Sequence, residues 1–170
     1  MSFMFNPHPY DDPKAVNRPL LSDEITGSIV SGVKESAKYI SDILIGKLSD
    51  DREFNPVLAL EGYIGAQWEQ TVNLISQNLK QNSIGVTVFS FAENFKPEDQ
   101  LDAELADNLP VDRMKDPVLL YGKLFKGGFE DLLDSQKLAR MTEDIRKAKI
   151  KGYDKKVTIV YGNGCTIRQL

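Results

Sequence analysis

Apolar positions along the chain alternate between two spacings, and each change of spacing marks a new element. From Ser22 onward Ile25, Ile29, Val33, Ala37, Ile40, Leu44 and Leu48 recur at helical steps and predict a helix with one apolar face. Ser22 is placed to cap it, while Gly27, Gly32 and Gly46 each weaken it by about 1 kcal/mol relative to alanine and are points where it can break. After the polar turn SDDREFNP, Val57 to Leu60 is short and continuously apolar, as a strand buried on both faces is. Trp68, Val72, Ile75 and Leu79 form a second helical stripe, which Ser83 and Gly85 end. The β-branched and aromatic run Val86, Thr87, Val88, Phe89 and Phe91 predicts another strand, and strand, helix and strand together predict a right-handed βαβ unit.

Beyond it, Pro97 can open a helix carrying Leu101 and Leu105, with Glu98, Asp99, Asp102, Glu104 and Asp107 as its solvated face. Pro117 to Tyr121 reads as a third buried strand, and the glycine-rich GKLFKGG after it as a sharp turn. Asp134 can cap a helix with the stripe Leu138, Met141, Ile145 and Ala148, and Lys147, Lys149 and Lys151 suit the negative end of its dipole. Val157 to Tyr161 is the clearest strand of all. Strands alternating with helices predict an α/β fold: a mostly parallel sheet flanked by helices, in a three-layer sandwich of phosphate-loop (P-loop) kinase-like shape. An irregular arm over residues 1–21, rich in proline, precedes a single domain over 22–170. Gly162 to Leu170 reads as a strand-to-helix crossover cut short, so the expected domain is truncated at its C-terminal end.

Composition narrows the picture. A chain of 170 residues, 41% hydrophobic and 27% charged, suffices for one domain with a core. Its 21 basic and 25 acidic side chains, net charge -4, form no basic stripe and do not suggest nucleic acid or an acidic membrane as partner. A single cysteine, Cys165, rules out an internal disulfide and fits a reducing, cytoplasmic setting. No run approaches the roughly 18 apolar residues of a membrane span, and the N-terminus lacks the plan of a secretory signal.

Chemistry is expected just beyond the carboxyl ends of the strands, where open parallel sheets bind ligands. Those segments are Glu61–Gln67, Ser90–Asn94, Tyr121–Gly128 and Tyr161–Cys165. The first, inside PVLALEGYIGAQWE, stands where a P-loop would, but the pattern G-x-x-x-x-G-K-[ST] is unmet: Gly62 is followed by Gln67, Trp68 and Glu69. An indole and a carboxylate replace the cation and the magnesium-binding hydroxyl, and Lys80 lies helical turns away. The candidate ligand-binding residues are Gly62, Gly65, Gly122, Lys123, Gly162 and Gly164, forming tight turns or a weak backbone-amide anion site. Lys126 and Arg168 can add positive charge there, whereas Glu61, Glu69 and Glu93 would oppose a phosphate if they faced it. G-N-G at Gly162–Gly164 is too short for a dinucleotide fingerprint. His8 is the only histidine, so no metal or catalytic set is assigned, and Cys165 reads as a small buried thiol.

The segments DPVLLYGKLFKGGFEDLLDSQKL (Asp116–Leu138) and KVTIVYGNGCTI (Lys156–Ile167) resemble the N-terminal kinase-like region of some bacterial class I mannose-6-phosphate isomerases. Asp116, Tyr121, Gly122, Phe129, Asp131, Leu132, Leu133 and Asp134 carry the first part of the likeness, Tyr161, Gly162 and Gly164 the second, and VLALEGYIG resembles that region's opening strand and turn. Such regions are similar in outline to nucleoside or uridine kinases. The resemblance covers about residues 55–170, with Tyr121 in place of an expected phenylalanine. It implies a non-catalytic or weakly ligand-binding, regulatory domain in sugar-phosphate metabolism, with an attached or separate isomerase domain and a phosphate-bearing small molecule as partners. Zinc would belong to a downstream cupin domain, whose ligands do not map onto this chain, so no cofactor is expected here. Two alternatives stand beside it: a phosphotransferase acting on a nucleoside or sugar through an atypical loop, and a pure protein-interaction module. The oligomeric state is left open.

Overall fold

The computed structural model describes residues 20–50, 54–63, 65–109, 112, 114, 123–150 and 154–166. The helix predicted from Ser22 is two helices, α1 (Asp23–Ser28) and α2 (Val33–Asp50). Ser22 caps α1, its Oγ accepting from the Ile25 N–H at 3.3 Å. The break falls at Gly32, whose φ of +97° lies in the left-handed region that other residues avoid. Helix α1 buries none of its residues, so the apolar stripe becomes core only in α2, through Ala37, Leu44 and Leu48.

Strand β1 (Val57–Leu60) leads through a turn into α3 (Trp68–Gln81), which turns Val72, Ile75 and Leu79 inward as predicted. Helix α3 stops in a Schellman motif: Ser83 adopts φ +59°, its N–H reaches Lys80 O, and the Ile84 N–H reaches Leu79 O. Leu79 and Ile84 pack in the same cluster, the apolar contact that usually accompanies this cap. Strand β2 (Gly85–Ser90) ends one residue before the predicted Phe91, which instead opens a 3-10 turn, Phe91–Asn94. Helix α4 (Glu98–Leu105) follows Pro97 at its N-cap, and a 3-10 turn at Phe129–Leu132 leads to α5 (Ser135–Lys149). Asp134 caps α5 by accepting from the backbone N–H groups of Gln136 and Lys137. The strand predicted over Pro117–Tyr121 and residues 1–19 of the arm predicted over 1–21 lie outside the described residues.

Strand β3 (Lys156–Tyr161) inserts between the other two, giving a parallel sheet of order β1-β3-β2. The predicted strand-helix-strand unit, β1-α3-β2, therefore spans an intervening strand rather than joining neighbours. Because β3 is central, both of its faces are buried, and alternation divides them. Val157 and Ile159 join Ala37, Leu44, Leu48, Val72, Ile75 and Leu79 under α2 and α3. Val160 joins Phe91, Leu133, Leu138, Met141 and Ile145 on the α5 side. The structure is thus mixed α/β, a small parallel sheet with helices against both faces.

Candidate functional site

All three strands end in register, since Leu60 and Ser90 both pair with Tyr161. Glu61, Phe91 and Gly162 consequently begin their turns side by side, which assembles three of the four predicted segments at one sheet end. The Gly162 N–H extends the ladder by one bond to Leu60 O, at 3.1 Å, and the chain then doubles back, with the Cys165 N–H reaching Gly162 O. Gly162 (φ +119°) and Gly164 (φ +90°) both need the left-handed region. Gly164 also leaves no room for a side chain, since a Cβ there would stand 2.7 Å from Phe129 Cζ, whereas a Cβ on Gly162 would meet Phe91 Cβ at 3.4 Å, an ordinary contact. Phe91, Phe95 and Phe129 form the aromatic floor, with ring centroids 5.6 to 6.5 Å apart.

Successive amides in such a turn make an anion-binding concavity. Its occupant here is the chain's own carboxylate. Glu61 Oε1 accepts from the Gly164 N–H and Oε2 from the Thr166 N–H, both at 3.1 Å, and the Thr166 hydroxyl donates to Oε2 as well. Glu61, expected to oppose a phosphate, instead accepts from these amides and ties β1 to the turn after β3. Burial, and secondarily the Glu61 carboxylate, push the Cys165 thiol up from its ordinary value. Cys165 is 2% exposed, as a structural thiol is, and is not poised as a nucleophile.

The turn after β1 is closed differently. The Trp68 indole lies over Gly62, so close that a Cβ there would stand 2.8 Å from the ring. Gly65 adopts φ +93° beside open space. Gln67 stands at the N-cap of α3 without a side-chain hydrogen bond, and the helix has Glu69 in its first turn and Lys80 in its last. Of the remaining candidates, Lys123 is exposed and its backbone is bonded to Asn108, whose side chain returns a bond to Lys123 O. Gly122 and Arg168 lie outside the described residues. Among the described residues no group of three or more His, Cys, Asp and Glu could hold a metal ion, and no helix is long and apolar enough to cross a membrane.

Sequence reasoning found the glycines but missed Thr166 and the sense of Glu61. The available signal was an acid directly after one apolar strand and a Gly-x-Gly-x-Thr turn directly after another.

This fold and this turn fall within one family: the one described as Domain of unknown function (DUF8485) matches residues 32–169. The chain belongs to the DUF8485 family. The match takes in α2 through the turn after β3, so the Glu61 tie lies wholly within the DUF8485 domain, whereas α1 precedes it. Neither a curated protein nor a solved structure matches the chain.

Proposed function

We propose that the DUF8485 domain is a non-catalytic scaffold of kinase-like outline, acting by binding rather than by phosphoryl transfer. The observation that carries this reading is the Glu61 carboxylate seated on the Gly164 and Thr166 amides. A phosphoryl-transfer site needs a cation and a magnesium ligand gathered on the phosphates. Trp68 and Glu69 hold those two sequence positions, and the indole closes over Gly62. An internal carboxylate at the end of β3 then satisfies donors that would otherwise face an outside oxyanion. The metabolic setting, regulation of an isomerase acting on mannose 6-phosphate, rests on the sequence resemblance alone.

A thermal-shift screen with ATP and magnesium, mannose 6-phosphate and fructose 6-phosphate, run alongside an ATP-turnover assay, tests the reading. A ligand at 100 times its dissociation constant stabilises the native state by about 2.7 kcal/mol, a shift well within reach of the method. The expected result is silence with ATP and no turnover. Turnover abolished by altering Gly62 would establish the phosphotransferase alternative instead.

A further inference from the structure

Asn163 and Gly164 form the only Asn-Gly pair in the chain. In such a pair the glycine nitrogen can attack the asparagine side chain, because glycine has no Cβ to hinder the approach and its backbone is free to adapt. A base takes the proton of the Gly164 N–H, the nitrogen bonds to Asn163 Cγ, and the Cγ–Nδ2 bond breaks, Nδ2 leaving as ammonia with a proton from solvent. Water then opens the cyclic imide. Cleavage of the bond to Cγ gives aspartate, and cleavage of the bond to the main-chain carbonyl carbon gives isoaspartate, in which the chain runs on through the side chain. Either way a neutral amide becomes a carboxylate, and nothing is oxidised or reduced.

The turn after β3 opposes each step of that attack. Glu61 Oε1 accepts from the Gly164 N–H at 3.1 Å, so the attacking nitrogen is itself a donor in the tie. The negative charge held beside it disfavours the amide anion through which the nitrogen attacks. The Cys165 N–H reaches Gly162 O at 3.3 Å, which makes Asn163 and Gly164 the central residues of a β-turn. Gly164 has φ +90° and Asn163 does not have a positive φ, the pattern of a type II turn. In that turn the second residue has an extended ψ, which swings the next nitrogen away from the side chain that must meet it. Asn163 Oδ1 is also buried and accepts from no donor among the described residues, so the charge that gathers on it as the nitrogen adds is left unstabilised.

We propose that Asn163 is a modification site kept latent by the Glu61 tie: the closed turn protects it, and its conversion to aspartate or isoaspartate when the tie opens releases that turn for good. The product does not fit the closed turn. A carboxylate in the buried place of Oδ1 is an ionised group without a donor, where the neutral amide was tolerated. It also sets a second negative charge one residue from the N–H that Glu61 holds, and isoaspartate lengthens the main chain between Gly162 and Gly164. The site is independent of whether the strand ends bind a ligand.

The test holds the purified full chain at mildly alkaline pH and follows Asn163 by peptide mapping and mass spectrometry, beside a blocked peptide of residues 159–166. Asn163 is expected to convert at least about tenfold more slowly in the folded chain than in the peptide, as a turn that is closed most of the time requires. Glu61→Ala is expected to speed conversion at least about fivefold, through a larger open fraction of the turn. Glu61→Gln removes the charge while keeping the shape, is expected to accelerate in the same direction, and gives the reading should Glu61→Ala fail to fold. Ile75→Val, a core change under α2 and α3, loosens the domain away from the turn and is expected to leave the Asn163 rate within about twofold. The converted protein, separated by ion exchange, is expected to melt below the parent. Conversion in the parent as fast as in the peptide, no acceleration in either Glu61 variant, equal acceleration by Ile75→Val, or a converted protein that melts with the parent would each overturn the inference.

Discussion

Replacing Glu61 by alanine removes a side chain that joins the end of β1 to the turn after β3. Three bonds are lost, from the Gly164 N–H, the Thr166 N–H and the Thr166 hydroxyl. A hydrogen bond to a charged group is worth about 1.5–3 kcal/mol where water is excluded. Glu61 is exposed, so water takes over much of each bond in the variant and the summed loss falls to about 1–2 kcal/mol. For a chain of this size that lowers the melting temperature by about 3–6 °C. Differential scanning calorimetry of Glu61→Ala against the parent measures it. Glu93→Ala, an exposed carboxylate on the neighbouring 3-10 turn, serves as control with an expected change within about 0.5 kcal/mol. The amides vacated by Glu61→Ala also become available to inorganic phosphate, which should raise the melting temperature of the variant and leave the parent unchanged. A variant that melts with the parent refutes the tie, and phosphate stabilising both proteins equally refutes the idea that Glu61 fills the anion site.

Further outcomes follow from the same geometry. Gly164→Ala forces a side chain into left-handed backbone and against the Phe129 and Phe91 rings, so urea unfolding should report a loss of about 2–4 kcal/mol. The buried Cys165 thiol should react with a thiol reagent only as fast as the domain opens, and a rate matching free cysteine in the folded protein would contradict its placement. The Asp134 carboxyl is held below its ordinary value near 3.8 by the backbone N–H of Lys137, with Gln136 contributing less. Since a depressed folded value stabilises above the unfolded value and is lost as the pH falls through the folded one, Asp134→Ala should lower the denaturation midpoint at neutral pH by an amount that shrinks below about pH 4. A midpoint difference that stays constant down to pH 2 would refute that cap.

Several elements could be read directly because local pattern and tertiary need agree in them. The Val72, Ile75 and Leu79 stripe, the Asp134 cap and the VTIVY run each carry enough repetition or capping chemistry to name their state without neighbours. The stripe from Ile25 to Leu48 was continuous in spacing yet is broken at Gly32, where backbone freedom outweighs the periodicity. Phe91 looked like one more strand residue. Instead it leaves the sheet to form the floor under Gly162 and Gly164, because a ring can be fully buried there and not at a strand end.

Glu61 is the sharpest case of what sequence withholds. Its position after an apolar strand marked it as close to a ligand site, and its charge made it an opponent of phosphate, yet the groups that define its role lie more than 100 residues away in the chain. The neighbour of β1 was equally hidden, because nothing in VLAL says that it pairs with the strand near the far end of the chain. Alternating strands and helices and the glycine turns were set by residue types and spacing alone, since backbone freedom and periodic burial act over a few neighbouring residues. The order β1-β3-β2 and the carboxylate seated on distant amides were decided only by the tertiary fold, because strand pairing and charge placement depend on which far-apart segments the packed core brings together.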